Sequence, residues 1–421
     1  MSDRIILKGL SMRIKDHFKD KYSLTVDPVI QKGTIEGVEF YTSLPLQLSR
    51  ELKRSPLEIA KELEAIEAEG IICLEAVKPG FLNITLSENV YLQHFNDFSS
   101  ICRSKNGKKV NIEFISANPT GPLNVVSGRA AAFGRALSYL FEYAGWEVTK
   151  EYYINDAGNQ INIFTNSIYK AYLEKFEKQT VNFEENEYNN AYVRELAEHF
   201  SKEIRSASDP KTFLKDAAIG HTVALNKKIL ERIDLSFDVW FSESSLYENA
   251  QLSDRVLSTL KKKSLSYEKD GALFIKNTAL GDSQDWVLKK SNGEYTYLFG
   301  DIMYHINKFE RGFDKAINIW GPDHHGGVRR LQLALTAFDI PEDFLEIIIL
   351  QQVNLIKDGE KLVMSKRSGN YIQLNDIVDS VGADAAKYFF LSKGANQHVD
   401  FSLDRFEKEG EKSPVFYVQY M

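Results

Sequence analysis

The sequence predicts an α/β fold: a doubly wound parallel sheet carrying an inserted subdomain, preceded by a small α+β domain. Three observations predict it. A strand-like run, Val110–Ile115, leads into a Pro- and Gly-rich loop, a helix-like run that ends near Gly145, and a second strand-like run, Trp146–Ile154. The same rhythm returns at Ala316–Trp320, Gly326–Phe338 and Leu345–Gln351. Strands that alternate with helices pair in parallel, because a parallel partner needs a crossover of helical length. Before Val110 the pattern differs, and the polar, basic stretch Ser104–Lys109 separates the two parts.

In chain order, residues 1–105 form the first domain. Leu44–Leu63 places apolar residues at helical spacing, and Ser55-Pro-Leu-Glu58 has the pattern of a helix start. Gly80-Phe-Leu-Asn-Ile-Thr-Leu86 alternates as an edge strand would. The second domain covers 106–400. Within it, 160–290 breaks the alternation and reads as an insertion. Lys178–Asn190 is acidic, Asn-rich and poor in aliphatic residues, as an exposed loop is, and amphipathic helices are expected over Ala191–Ser206 and Pro210–Arg232. Asp238-Val-Trp-Phe241 has a strand-like core. Residues 401–421 follow as a short third piece, with a helical run at Pro414–Tyr420.

The bulk composition narrows the function classes. A chain of 421 residues with 43% hydrophobic and 26% charged residues has enough apolar mass for two or three packed domains. The net charge of −7 does not draw in a nucleic acid globally, so such a partner needs local basic faces. Cys73 and Cys102 read as free thiols in a reducing compartment. The polar N-terminus has no signal-peptide core, and no apolar run reaches the ~18 residues of a membrane span, so a cytoplasmic location is expected, with no membrane and no DNA partner.

Four constellations carry chemistry. The first is Ser116-Ala-Asn-Pro-Thr-Gly-Pro-Leu-Asn-Val-Val-Ser-Gly-Arg129, a strand-to-helix loop that puts free backbone N–H groups and a positive helix end at the carboxyl edge of a sheet, where phosphates bind. Asn124 and Ser127 share the first helical turn there. They fit either donors to phosphate oxygens or plain helix caps. The second is Trp320-Gly-Pro-Asp-His-His-Gly-Gly327, which puts Asp323 and His324 at another strand's carboxyl end. Ligands at zinc spacing are missing, so a nucleotide site is expected and no structural metal. The third is the basic loop Lys357–Asn370, in which Lys366 offers a point charge on a flexible stem. A solvated charge run gives the same pattern. In the fourth, Tyr297 and Asp301 share a helix face, while Glu113 and Asn118 lie at the end of the first strand. Converging carboxylates call for a cation, and Glu113 and Asp301 could clamp a guanidinium with Tyr297 stacked on its plane.

In their order along nearly the whole chain, these segments resemble the arginyl-tRNA synthetases, class I aminoacyl-tRNA synthetases with a Rossmann-like catalytic domain. The residues that carry the resemblance are Glu113–Leu123, Glu151-Tyr-Tyr-Ile-Asn-Asp-Ala-Gly-Asn-Gln160, Asp301–His305, Lys308–Asp314, Trp320–Gly326, Val363–Asn370, Asp384–Phe390 and Pro414–Tyr420. Residues 1–100 resemble the family's N-terminal tRNA-contacting domain.

The resemblance implies activation of arginine with Mg2+–ATP, with release of diphosphate, followed by transfer to tRNA. It implies that Glu113, Asn118, Tyr297 and Asp301 hold arginine, and that Gly121, Gly128, Asp323, His324, Met364, Ser365 and Lys366 line the ATP site. Asn124, Ser127 and Lys366 take the catalytic places. Three departures accompany it. Asn124-Val-Val-Ser-Gly-Arg129 stands where the family has His-Val-Gly-His-Gly-Arg. Val363 replaces the first lysine of the loop signature, and 401–421 is expected to be a stub of the helical anticodon-binding domain. They motivate an alternative: a catalytically impaired paralogue that binds arginine or a similar ligand as a regulatory or binding module, or one that passes it to an acceptor other than tRNA.

Overall fold

In the computed structural model the described residues are 2–33, 38–89, 92, 105–248, 250–357, 360–361, 372–402 and 414–420. They fall into two compact units, 1–104 and 105–421. The signature loop residues Met364, Ser365 and Lys366, together with Val363 and Cys102, lie outside the described residues.

The first unit contains helix α1 (Ser2–Tyr22), strands β1 (Ile30–Lys32) and β2 (Phe40–Thr42), helices α2 (Leu44–Leu52) and α3 (Pro56–Leu63), and strands β3 (Ile71–Val77) and β4 (Phe81–Leu86). Ser55 caps α3 by accepting from the Glu58 N–H, and Pro56 takes the first helical position, where a missing N–H costs nothing. The sheet is antiparallel in the order β1-β2-β4-β3. Strand β4 therefore sits inside the sheet, and the edge position expected from its alternation is corrected. One face of β4, Leu82, Ile84 and Leu86, is buried against Leu10, Ile14 and Phe18 of α1, so alternation reports a one-sided sheet and is silent on strand order. Glu62 of α3 lies among Arg54, His17, Lys21 and Tyr22. Burial opposes its ionisation, yet the hydrogen bonds from these four bring its pKa down to about 2. Cys73 is a free, exposed thiol.

The second unit opens with β5 (Lys109–Glu113), helix α4 (Val125–Tyr143) and β6 (Glu147–Ile154). Helices α5 (Asn159–Phe176), α6 (Ala191–His199), α7 (Ser201–Ser206) and α8 (Pro210–Glu231) follow, then β7 (Val239–Ser242), α9 (Ser244–Glu248) and α10 (Ala250–Lys262). An antiparallel sheet of β8 (Ser266–Lys269), β9 (Ala272–Ile275) and β10 (Trp286–Lys289) precedes α11 (Tyr297–Glu310), β11 (Lys315–Trp320), α12 (Val328–Thr336) and β12 (Leu345–Ile349). Strands β13 (Val353–Lys357) and β14 (Glu360–Lys361), helices α13 (Leu374–Val381) and α14 (Ala383–Leu391), strand β15 (Val399–Ser402) and helix α15 (Pro414–Tyr420) complete it.

The central sheet is all parallel, in the order β12-β11-β5-β6-β7. Strand order reverses beside β5, between β11 and β6. Such a switch point opens a crevice outside the strands' carboxyl ends, where doubly wound sheets bind ligands. Strand β5 is buried from Val110 to Glu113; Val110 and Ile112 pack with Phe114, Val125 and Ala131, while Asn111 and Glu113 are buried with hydrogen-bond partners.

The stretch 160–290 is not one decoration on this sheet. Val239–Ser242 within it is the sheet's edge strand, and Ile229, Leu230, Ile233 and Leu235 belong to the same core as β5. Helices α5 to α8 build a separate apolar cluster around Phe164, Ile168 and Val193. Lys178–Asn190 departs from the exposed loop expected of it, because Glu187 and Tyr188 are buried. Glu187 accepts from Asn166 and Lys170, and the Tyr188 N–H donates to Ser167. Few aliphatic residues are needed where one tyrosine supplies the buried surface.

Candidate active site

Three strand ends of the central sheet and helix α11 build the site. At the end of β5 the chain turns through two non-glycine residues of positive φ, Ile115 (72°) and Ser116 (40°). A β-branched residue is strained in that region, and such strain collects at functional sites. The turn brings the Ser116 hydroxyl 2.9 Å from Glu113 Oε1 and 3.3 Å from the Tyr153 N–H, which donates to it. The loop is pinned further on: Tyr152 Oη donates to the Ala117 carbonyl (3.1 Å) and the Leu123 N–H to Asn226 Oδ1 (3.2 Å).

Glu113 and Asp301 are expected from the sequence to share a guanidinium. The structure gives Glu113 a cation of its own. Lys308, fully buried on α11, donates to Glu113 Oε2 (2.8 Å) and to Asn318 Oδ1 (2.9 Å), with its ammonium 4.4 Å from the centre of the Tyr304 ring. A buried ammonium is tolerated only when its donors are satisfied, and this one has three partners. Asn318 also donates to His305 Nε2 (2.9 Å), whose Nδ1 lies 2.7 Å from the Asp301 carbonyl. That geometry demands a neutral ring, and burial together with Lys308 brings the His305 pKa down to about 3. Beside this group, Glu151 accepts from Asn111 (2.9 Å), Tyr304 (2.6 Å) and Arg311. Despite full burial it is held below the usual carboxylate range, chiefly by Arg311.

Asp301 has no such partner, and neither does Glu243, at the start of the turn after β7. Among the described residues neither carboxyl takes part in a salt bridge. Burial, then repulsion from Glu113 and Glu243, pushes Asp301 up to about 7. Burial, then Asp156, pushes Glu243 up to about 7 as well, even though Tyr153 and Tyr247 donate hydrogen bonds to it. A Cβ on Gly300 would stand 2.9 Å from the Tyr247 hydroxyl and 3.9 Å from Glu243 Oε1, so a glycine next to Asp301 is what admits this pair against α11. The rings of Tyr153, Phe241 and Tyr304 pack together in the same region, Tyr153 stacked on Phe241 and Tyr304 tilted against both, with ring centres 4.6 to 6.0 Å apart. Two carboxyls kept partly protonated by each other and by aromatic walls form a pocket that a cation would relieve.

The remaining expected residues are distributed around this crevice. Asn118 is half-buried in the β5 loop, and Gly121 is buried in it. Tyr297 opens α11 and is 80% exposed. Asp323 and His324 lie exposed on a short 3-10 turn, Pro322–Gly327, after β11, with the His324 ring 5.6 Å from Trp320. At the mouth of α4, Asn124 is the helix cap: its Oδ1 accepts from the N–H (3.1 Å) and the hydroxyl (3.2 Å) of Ser127. Of the two roles open to them in the sequence, these contacts belong to capping. Gly128 serves close packing, since a Cβ there would meet Leu374 Cδ1 at 2.6 Å and Phe390 Cε2 at 2.9 Å. Arg129, fully buried, donates to the carbonyls of Gln351 and Gly394, and burial lowers its pKa. The Leu374 N–H donates to the Leu123 carbonyl (2.8 Å), and Asn124 bridges to Gln373.

Known proteins resemble this chain over most of its length. Residues 91–399 match the family described as "tRNA synthetases class I (R), catalytic domain", and residues 6–86 match "Arginyl tRNA synthetase N terminal domain". An arginine–tRNA ligase of Aquifex aeolicus is 39% identical over 421 residues, covering 89% of this chain and 72% of its own length. That of Bacillus subtilis is 38% identical over 398 residues, covering 91% and 71%. The chain belongs to the arginine–tRNA ligase family. Among solved structures, an arginyl-tRNA synthetase of Campylobacter jejuni superimposes with a TM-score of 0.71 at 36% identity, over 79% of this chain and 74% of that one. The synthetase of Thermus thermophilus gives 0.69 at 19% identity, over 98% and 80%. At that distance the likeness shows the fold, which is the α/β, class I arrangement expected from the sequence.

Within this ligase fold, sequence reasoning missed Glu243, Asn155 and Tyr247. A signal existed: a carboxylate directly after an aromatic strand, Val239-Trp-Phe-Ser242, occupies a carboxyl end. It was hidden because the strand lies in the stretch read as an insertion. Among the described residues no group of three or more His, Cys, Asp or Glu is arranged to hold a metal ion, and no helix is long and apolar enough to cross a membrane.

Proposed function

We propose that this chain activates arginine with ATP, releasing diphosphate, and transfers the arginyl group to the 3′ end of its tRNA. The observation that carries the proposal is the pair Asp301 and Glu243: two carboxyls at the switch point of a doubly wound sheet, neither in a salt bridge among the described residues, with Asp301 pushed up by burial and by Glu113 and Glu243 more than Arg330 and Lys308 pull it down. A guanidinium is planar, always charged and forked, and it satisfies two carboxylates at once. Asn118 supplies an amide to the amino-acid end, and Tyr297 at the pocket rim supplies a ring. Glu113 contributes from beneath, through its fixed charge beside Lys308.

ATP occupies the crevice between the α4 mouth and the Pro322–Gly327 turn, where Asp323, His324 and the backbone of the Gly121 loop face it. Mg2+ arrives with the phosphates. Lys366 stabilises the charge that moves from the α-phosphate to the departing diphosphate. The first unit contacts the tRNA. The reaction is placed in the cytoplasm, where these substrates occur.

The test is arginine-dependent ATP–diphosphate exchange, run with and without arginine tRNA. Exchange is expected with arginine and to be lost in Asp301→Asn. Exchange of equal rate with lysine or without any amino acid would overturn the assignment of the pocket.

A further inference from the structure

So far Arg330 enters only as a charge near Asp301. It stands in the first turn of α12, directly behind the Pro322–Gly327 turn, and is half-buried. Its guanidinium lies 4.8 Å from the centre of the Trp286 ring. It also folds back over Gly327, where a Cβ would stand 3.4 Å from Nη2, 3.6 Å from Nε and 3.8 Å from Cζ. The ring and the helix turn are tied together beneath it. Trp286 Nε1 donates to Asp282 Oδ2 (2.9 Å), which also accepts from Asn277 Nδ2 (3.2 Å), and the same amide donates to the Arg330 carbonyl (2.9 Å). Asn277 is fully buried, so the seat of this guanidinium is anchored in the core.

A guanidinium is all donor and no acceptor. Among the described residues, that of Arg330 makes no hydrogen bond and no ion pair. Every other described arginine of the second unit spends donors on an oxygen, from the carbonyls that Arg129 and Arg135 hold to the Glu342 carboxylate on the neighbouring Arg329. Contact with an aromatic face fixes the group and leaves those donors unused. Arg330 acts on Asp301 through space, without a salt bridge, so it borders the arginine pocket and repels the cation that the pocket takes. Its own ligand is an anion. A planar fork of donors matches a pair of phosphate oxygens. The proposed reaction brings phosphate into the crevice in two forms, the phosphates of ATP and the phosphodiester at the 3′ end of tRNA.

We infer that Arg330 is a phosphate-binding residue of this site: its guanidinium, fixed between Trp286 and Gly327 and unpaired within the protein, takes the oxygens of a substrate phosphate. The inference rests on the reading that the crevice activates arginine with ATP. It gives the β8–β10 sheet, through Trp286, a part in holding the substrate.

The experiment compares the full-length wild-type chain with R330M and R330K. Mg2+–ATP, arginine and arginine tRNA are each titrated alone by calorimetry, and ATP–diphosphate exchange is measured with that tRNA present. In R330M one phosphate ligand is expected to bind about 10- to 100-fold more weakly, the range of hydrogen bonds to a charged group. That ligand is ATP if the nucleotide supplies the phosphate, and tRNA if the phosphodiester does. R330K keeps the charge without the fork and is expected to recover part of the loss. Arginine is expected to bind as it does to the wild type or more tightly, because a repelling charge has gone from beside Asp301. If R330M does not fold, R330K decides by the same constants. Unaltered binding of both ATP and tRNA overturns the inference. So does a weakening confined to arginine, which would give the guanidinium to the arginine carboxylate. Either result leaves the proposed function standing. A wild-type chain without arginine-dependent exchange overturns both.

Discussion

Arginine binding should expel protons. The perturbation is the substrate itself, a permanent cation placed between Asp301 and Glu243, both pushed up to about 7. At pH 7 each carboxyl is about half protonated, so ionising both releases about one proton per arginine bound. At pH 8 the release falls to about 0.2, and at pH 6 it rises toward about 1.8. The two groups repel each other, so these are totals for the pair. Each pH unit below 7 then weakens binding by up to about tenfold per carboxyl. Folding moves the other way. Raised acids bind more protons in the folded chain than in the unfolded one, so their stabilisation is fully present below the unfolded pKa of about 4 and is lost as pH rises through 7. The assay is isothermal titration with arginine at pH 6, 7 and 8 in two buffers of different protonation enthalpy. The Asp301→Asn variant should lose about half of the release. Heats that do not depend on the buffer at pH 7 would show the pair already ionised, and the reasoning from an unpaired carboxyl cluster would fail.

Two further predictions concern the framework. Lys308→Met strands Glu113 as a buried, uncompensated charge and should cost about 3–5 kcal/mol in urea denaturation, most of which the double variant K308M/E113Q should restore. Gly128→Ala pushes a methyl group into Leu374 and Phe390 and should cost about 1–3 kcal/mol by the same measurement; a neutral result would return this glycine to the role of clearing space for a nucleotide.

Legibility from the sequence followed the range of the interactions. Strand-like runs, each followed by a turn and a helical pattern, located β5, β6, β11 and β12. The switch point was legible in kind, because alternating strands and helices leave few topologies. The edge strand β7 was hidden within helices, and the inner position of β4 needs partners that lie far away in sequence. The site divides similarly. Asp301 and Asn118 could be picked out by their place on elements. The cation that occupies Glu113 could not, because Lys308 lies far along the chain and on another element. Nothing local distinguishes a carboxylate that waits for substrate from one that is already paired. Only the three-dimensional count of charges does so.

Arg129 and the cap at Asn124 reach beyond the helix they belong to. Two residues on either side of the loop signature are fastened to the same turn of helix: Gln351 through its carbonyl, held by Arg129, and Gln373 through its bridge to Asn124. Lys366 precedes Gln373 by seven positions, so fully extended chain between them spans at most about 25 Å. In the proposed reaction the length of chain between the two attachments limits how far from the helix mouth this cation can act, and residues inserted there would move that limit outward.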